Sequence, residues 1–189
     1  EVFLQQPKLK PQDFDQMSEL EQVESLFSVE GSVDLTKISD PVIKDTLESL
    51  YTIREIQEAN GVHACHRYII SNCRGAIDVA RLYALCRFCG WNTQDFTLDI
   101  VPLFETISDL RQSETSMRIL YESSCYREHV SQRLNRQTVM LGFSDGTKDG
   151  GYLMANWAIY AAKESLTRIS RQFDIEVCFF DGRGGPPAR

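Results

Sequence analysis

No apolar run in this 189-residue chain is long enough to span a bilayer, and no signal-peptide pattern opens it. Those absences argue against a membrane-spanning helix and make the cytoplasm the expected compartment. Clustered basic charge is missing too. The 20 Lys and Arg are scattered among 27 Asp and Glu, for a net charge of −7, so nucleic acid is not an expected partner. Internal repeats and low-complexity segments are absent. The six cysteines are too sparse for a small disulfide framework, and they lie mostly in apolar contexts, as cytosolic thiols do.

What is present has globular proportions, 42% hydrophobic and 25% charged, which suits one large domain or part of a larger one. The chain opens on Glu1 without an initiator Met and stops at Arg189 within a Gly/Pro-rich stretch, so a fragment of a longer protein is expected.

Residues 1–60 read as a helical packing segment. Phe14, Met17, Leu20, Val23, Leu26 and Phe27 recur at helical spacing, which predicts a helix from about Pro11 to Phe27. Ser39-Asp40-Pro41 is a helix start, and Asn60-Gly61 a stop. From residue 61 onward strands and helices alternate. Strands are predicted at 67–71, 98–104, 138–143 and 175–180, and helices at 76–89, 106–121, 126–134 and 152–173. Short apolar strands alternating with helices mean a parallel sheet covered by helices. The expected fold class is α/β, with about four parallel strands. Half a (β/α)8 barrel fits that count, and so does an open doubly wound sheet.

The chemistry-bearing residues fall at the C-terminal ends of these strands, where α/β folds place their sites. The second strand runs into Glu105, and the third into a polar, Gly-rich turn, Ser144–Gly151, with Asp145 and Lys148. After the fourth come Asp181, Gly182, Arg183, Gly184, Gly185 and then Arg189. Two carboxylates with room for water suit Mg²⁺ or Mn²⁺, which prefer oxygen ligands. Cations at the same edge suit a ligand rich in phosphate and carboxylate oxygens, and glycines let backbone amides approach it. Any one of these residues could equally be a solvated loop charge or a helix cap, Asp149 in particular. Their recurrence at successive strand ends is what singles them out. Zinc at His63, Cys65, His66, Cys73, Cys86 and Cys89 is the weaker reading, because Cys86 and Cys89 read as packed helix thiols. Trp91 and Trp157 read as packing residues.

Val139–Gly151, VMLGFSDGTKDGG, resembles the signature of phosphoenolpyruvate carboxylase, with Phe143 in place of a Tyr and Gly146 in place of a Ser. Pro102–Thr106 resembles the family's PLFET segment, Asn156-Trp157-Ala158 the start of a helix, and Phe180–Gly185 its FHGRGG loop. The likeness runs from about Ile69 to Arg189. It implies a partial TIM-type barrel from an enzyme that carboxylates phosphoenolpyruvate with bicarbonate, giving oxaloacetate and phosphate. It also implies Mg²⁺ or Mn²⁺ on Glu105 and Asp145. Lys148, Arg183 and Arg189 would be catalytic and substrate-binding, with Gly184 and Gly185 beside the substrate. The parent would be a homo-oligomer.

The sequence departs from that pattern in places. Asp181 stands where the family has His, which would add negative charge beside an anion site. Pro186-Pro187-Ala188 replaces a more flexible segment, and none of His63, His66 or His129 matches the family's upstream essential histidine. A fragment with only half a barrel cannot close a dry site around the enolate, so the isolated chain is expected to be inactive. Two alternatives stay open: another metal-dependent barrel acting on an enolate, and a non-catalytic module that binds an anion or a protein partner.

Overall fold

The computed structural model describes residues 2–182, and within them the side chains of all but Ser144, Asp145, Gly146 and Asp149. The chain divides into two compact units. One takes Glu1–Arg67 and Ala80–Leu98, the other Tyr68–Val79 and Asp99–Arg189.

In the first unit, α1 (Val2–Gln5), α2 (Glu19–Phe27) and α3 (Pro41–Asn60) precede the sheet. Helix α2 is shorter than the hydrophobic spacing predicts. Ser18 caps it by accepting from the Glu21 amide, while the Glu21 carboxylate accepts from the Ser18 amide. Upstream, Asp13 is left-handed (φ 55°) and Phe14–Gln16 form one 3₁₀ turn, so the apolar residues there serve a turn. At α3 the Asp40 side chain accepts from Val42 and Ile43, Pro41 takes the first turn, and Gly61 (φ 85°) closes it, as read from sequence. Val23, Leu26, Phe27, Leu47, Leu50 and Tyr83 are buried in this unit, with Tyr83 stacked on Phe96 at 4.6 Å. Cys86 and Cys89 are fully buried core thiols, and burial pushes Cys89 up to about 12. Trp91 is buried as expected. Trp157, in the second unit, is instead 65% exposed, on a helix face that carries Tyr160 beside it.

The sheet comprises β1 (Arg67–Ile70), β2 (Asp99–Phe104), β3 (Arg136–Gly142) and β4 (Glu176–Gly182). These four parallel strands lie in the order β1-β2-β3-β4. Helix α4 (Ala76–Phe88) follows β1, α5 (Ile107–Glu122) and α6 (Ser124–Gln132) follow β2, and α7 (Ser144–Gln172) follows β3. A doubly wound sheet reverses its strand order at a switch point; this one does not, so it is a partial (β/α)8 barrel. No helix among the described residues is long and apolar enough to cross a membrane.

The register aligns Leu103 with Met140, Phe104 with Leu141, Met140 with Phe180, Leu141 with Asp181, and Gly142 with Gly182. Register partners in a parallel sheet share a face, so Leu103, Met140, Gly142, Phe180 and Gly182 lie on one side. Phe104, Leu141 and Asp181 lie on the other. Helices α5 and α7 pack against each other, and the Tyr121 hydroxyl meets Ser170 at 3.1 Å. Small residues on both, Ser113 and Ser116, Ala155, Ala158 and Ala162, are buried.

Two expectations at the strand ends are corrected. Ser144–Gly150 is helical, not a turn: α7 begins directly after Phe143, whose carbonyl accepts from the Thr147 amide at 3.2 Å. The non-helical geometry is concentrated at Gly151 (φ 78°, ψ 166°), where the helix kinks. The helix predicted from Tyr152 is thus the part beyond a glycine joint. Asp181 and Gly182 belong to β4 and not to a loop.

Candidate active site

Glu105 lies between two rigid elements. Strand β2 ends at Phe104, and Thr106 caps α5 by accepting from the Asp109 amide at 3.1 Å; the Asp109 carboxylate accepts from the Thr106 amide at 3.0 Å. With its neighbours on both sides fixed, the half-buried Glu105 has little backbone freedom. Its Oε2 accepts a hydrogen bond from the backbone N–H of Asn72 at 2.6 Å. Asn72 lies in the turn after β1 with a left-handed backbone (φ 51°), a conformation Asn tolerates better than most residues. The next amide, Cys73, donates to the Leu103 carbonyl at 3.1 Å, which ties that turn to β2. Cys73 itself is fully buried, and burial pushes its thiol up to about 12, so it offers no thiolate at neutral pH.

Gly142 completes the arrangement. A Cβ there would stand 3.1 Å from the Glu105 Cα and 3.3 Å from its Cγ. The missing side chain is therefore the space in which Glu105 lies. On its other side, in register, is Gly182, where a Cβ would stand 2.8 Å from the Met140 Cε. Glu105, Gly142 and Gly182 form one layer at the C-terminal edge of the sheet. Helix α7 starts from the same edge, which places the backbone of Asp145 in its first turn, next to that layer in sequence and topology. Gly150 brings this segment close to α5, since a Cβ there would fall 2.2 Å from the Ile107 Cδ1.

The sequence-predicted residues are therefore placed as follows. Glu105 is at the C-terminal edge with its carboxylate held. Asp145 is in the first turn of α7, its side chain outside the described residues. Lys148 is exposed on the same segment. Arg183, Gly184, Gly185 and Arg189 lie outside the described residues; β4 ends one residue before Arg183.

Among the described residues, no three His, Cys, Asp or Glu side chains gather as a metal site. The donor chemistry nonetheless fits a hard cation. Mg²⁺ takes oxygen ligands and keeps several waters, so one or two carboxylates suffice. Glu105 has Oε1 outside any hydrogen bond among the described residues.

Asp181 corrects an expectation. Its carboxylate does not project on the Glu105 side. It shares the helix-covered face with Leu141 and contacts the Lys163 ammonium of α7 at 2.7 Å, a charge-to-charge contact rather than an aligned hydrogen bond. Lys163 also sits over the Phe179 ring at 5.6 Å, two residues back on the same face. The charge that replaces the family's imidazole is therefore balanced locally.

Three contributors escape a reading of strand ends alone: Asn72, Gly142 and Lys163. The first two carry a signal. Asn after a strand marks a turn that can be left-handed, and a Gly inside an apolar strand marks a close approach. Lys163 lies mid-helix, with nothing in the sequence to link it to Asp181.

The chain matches the family model described as "Phosphoenolpyruvate carboxylase" over residues 3–189. It is 36% identical over 188 residues to a phosphoenolpyruvate carboxylase of Mycobacterium leprae, covering 94% of this chain and 20% of that protein. Against that of Synechococcus sp. it is 32% identical over 190 residues, covering 96% of this chain and 18% of the relative. Against that of Gloeobacter violaceus it is 35% identical over 149 residues, with 77% and 16% covered. The chain thus spans about a fifth or less of the length of these relatives.

Proposed function

This chain belongs to the phosphoenolpyruvate carboxylase family, and from that premise we propose that it is the part of such an enzyme that holds the cation and the phosphoenolpyruvate. The observation that carries the reading is the layer Glu105–Gly142–Gly182, a held carboxylate at the sheet edge from which both motif-bearing segments depart. Residues 61–189 form the barrel portion, and 1–60 a helical packing segment.

The parent reaction joins bicarbonate to phosphoenolpyruvate. A bicarbonate oxygen attacks phosphorus, the bond from phosphorus to the enol oxygen breaks, and the electron pair stays on pyruvate enolate. Carboxyphosphate splits to CO₂ and phosphate, and the enolate carbon attacks CO₂ to give oxaloacetate. In our reading Glu105 and Asp145 hold Mg²⁺ or Mn²⁺, which when bound supplies positive charge for the oxygen that becomes anionic. Lys148, Arg183 and Arg189 bind the phosphoryl and carboxylate oxygens and offset charge during transfer, where positioning and electrostatics dominate. Gly184 and Gly185 let the backbone approach the substrate. The Asn72 amide and the Thr106 cap keep Glu105 in place throughout. The parent acts in the cytoplasm as a homo-oligomer. The isolated chain, with part of a barrel, does not exclude water from the enolate and does not turn over. Asp181 favoured a non-catalytic module, but it is ion-paired with Lys163, and the catalytic reading is the one we put forward.

Mn²⁺ titration followed by electron paramagnetic resonance tests this. One site is expected, lost in Glu105→Ala and in Asp145→Ala, with a spectrum that phosphoenolpyruvate changes in the wild type but not in Lys148→Ala. A site that survives both carboxylate substitutions in folded protein would refute it. Oxaloacetate formation by the isolated chain would refute its inactivity.

A further inference from the structure

Of the two carboxylate oxygens of Glu105, one is already engaged. We infer that the backbone amide of Asn72 is a positioning group for Glu105: it occupies Oε2 and leaves a single oxygen, Oε1, for the cation, which sets the site's preference for small divalent cations over Ca²⁺. This rests on the reading of Glu105 as a metal ligand. The N–H of Asn72 donates to Oε2 at 2.6 Å, a short, charge-assisted contact. The donor is itself fixed. Asn72 holds φ 51°, the following Cys73 amide is bonded to the Leu103 carbonyl, and the Arg74 amide donates to the Asp78 carboxylate at 3.1 Å in the first turn of α4. Gly142 closes the other side: with Cβ-equivalent distances of 3.1 and 3.3 Å to Glu105, no larger residue fits without moving it. The carboxylate is thereby held from β1 on one side and β3 on the other.

The consequence is chemical. Mg²⁺ demands near-octahedral geometry and takes one oxygen from each carboxylate, whereas Ca²⁺ accepts larger coordination numbers and two oxygens from one carboxylate. A carboxylate with one oxygen held by a backbone amide resists the second mode. Because the donor is a main-chain N–H, side-chain substitution at 72 matters only through the backbone angle it permits. Asn72→Gly keeps both the left-handed conformation and the N–H.

The test is an amide-to-ester replacement of the peptide bond between Ser71 and Asn72, which deletes the N–H and little else. Mn²⁺ binding is read by electron paramagnetic resonance, with Mg²⁺ and Ca²⁺ as competitors and circular dichroism confirming the fold. Wild type and Asn72→Gly are expected to agree within about 3-fold, and the ester variant to lose about 10- to 100-fold in Mn²⁺ and Mg²⁺ affinity, as loss of an outer hydrogen bond to a ligand typically does. Ca²⁺ affinity should fall less, so that the Mg²⁺-to-Ca²⁺ preference shrinks. A folded ester variant with wild-type Mn²⁺ affinity would overturn the inference. Equal losses for all three cations would overturn its single-oxygen part. Failure of the underlying reading looks different: Mn²⁺ binding absent from the wild type, or retained in Glu105→Ala, removes the metal ligand itself and the inference with it.

Discussion

Gly142→Ala is the most direct probe of how the site is built. Gly142 has no left-handed backbone requirement, so the substitution tests space and not conformational freedom. The new methyl would meet the Glu105 Cα at 3.1 Å, its Cγ at 3.3 Å and the Phe104 carbonyl oxygen at 3.4 Å. Two of the three atoms are backbone, and neither can swing away as a side-chain end could. Glu105 is held by the Asn72 amide and Phe104 is paired in the sheet, while Gly142 itself is locked in register with Gly182. Overpacking of this kind costs about 1–3 kcal/mol. For a chain of this size each kcal/mol lowers Tm by roughly 2–4 °C, so a drop of several degrees is expected by circular dichroism. A few tenths of an ångström of displacement at Glu105 should also weaken Mn²⁺ about 10-fold or more, as a lost outer contact does. Gly151→Ala is the matched control. There nothing lies within 4 Å of the added methyl, but φ 78° with ψ 166° is a region essentially confined to glycine, so a cost of about 1–3 kcal/mol arises from backbone strain with no steric push on Glu105. A Gly142→Ala protein with wild-type Tm and wild-type Mn²⁺ affinity would refute the argument that the absent side chain makes room for Glu105.

Replacing Asp181 with His, or Lys163 with Ala, should cost only about 0.5–1 kcal/mol, because the paired side chains are each a third exposed and water screens them; the loss should shrink in high salt, as urea melts at two ionic strengths would show. His129 is buried, and its burial, followed by the nearby Arg133 charge, holds its pKa down at about 4, with Asp99 opposing. The unfolded chain takes up the proton near the ordinary pKa of about 6.5, so stability is full above that pH and is lost progressively as pH falls toward 4, by roughly 3 kcal/mol in all. His129→Phe should flatten that slope between pH 6.5 and 4, and an unchanged slope would assign the acid sensitivity elsewhere. Gln137, buried in β3, accepts from the Tyr126 hydroxyl at 2.7 Å and donates to the Ile100 carbonyl at 3.0 Å. Gln137→Leu removes both bonds at about 1–3 kcal/mol, and the double variant with Tyr126→Phe should recover part of the loss, readable in a double-mutant cycle of urea midpoints.

Much of this protein was legible from residues alone, and the reason is local. The Asp40-Pro41 start and the Gly61 stop act over three or four residues, so their chemistry is written within a single window. Alternating short apolar strands and amphipathic helices suffice to call for a parallel sheet, and the position of Glu105 just past a strand marks it for the sheet edge. Near Phe14 the same pattern misled, because hydrophobic spacing reports burial while Ser18 and left-handed Asp13 decide where the helix starts. At Ser144–Gly151 the glycines suggested a turn, but one glycine, Gly151, takes all the non-helical geometry and the rest remain helical.

By itself, then, the order of residues determined the class of fold, the start and stop of α3, and which carboxylates stand at strand ends, because each depends on neighbours within one or two turns. Periodicity left barrel and doubly wound sheet open, and the tertiary structure bears out the barrel that the resemblance implied, since strand order depends on pairings tens of residues apart. It also decided that Asp181 turns from Glu105 to Lys163, because register with Leu141 sets the face. And only the approach of β1 and β3 to Glu105 gives Asn72 and Gly142 their roles, since neither a backbone amide nor a missing methyl names the side chain it will meet.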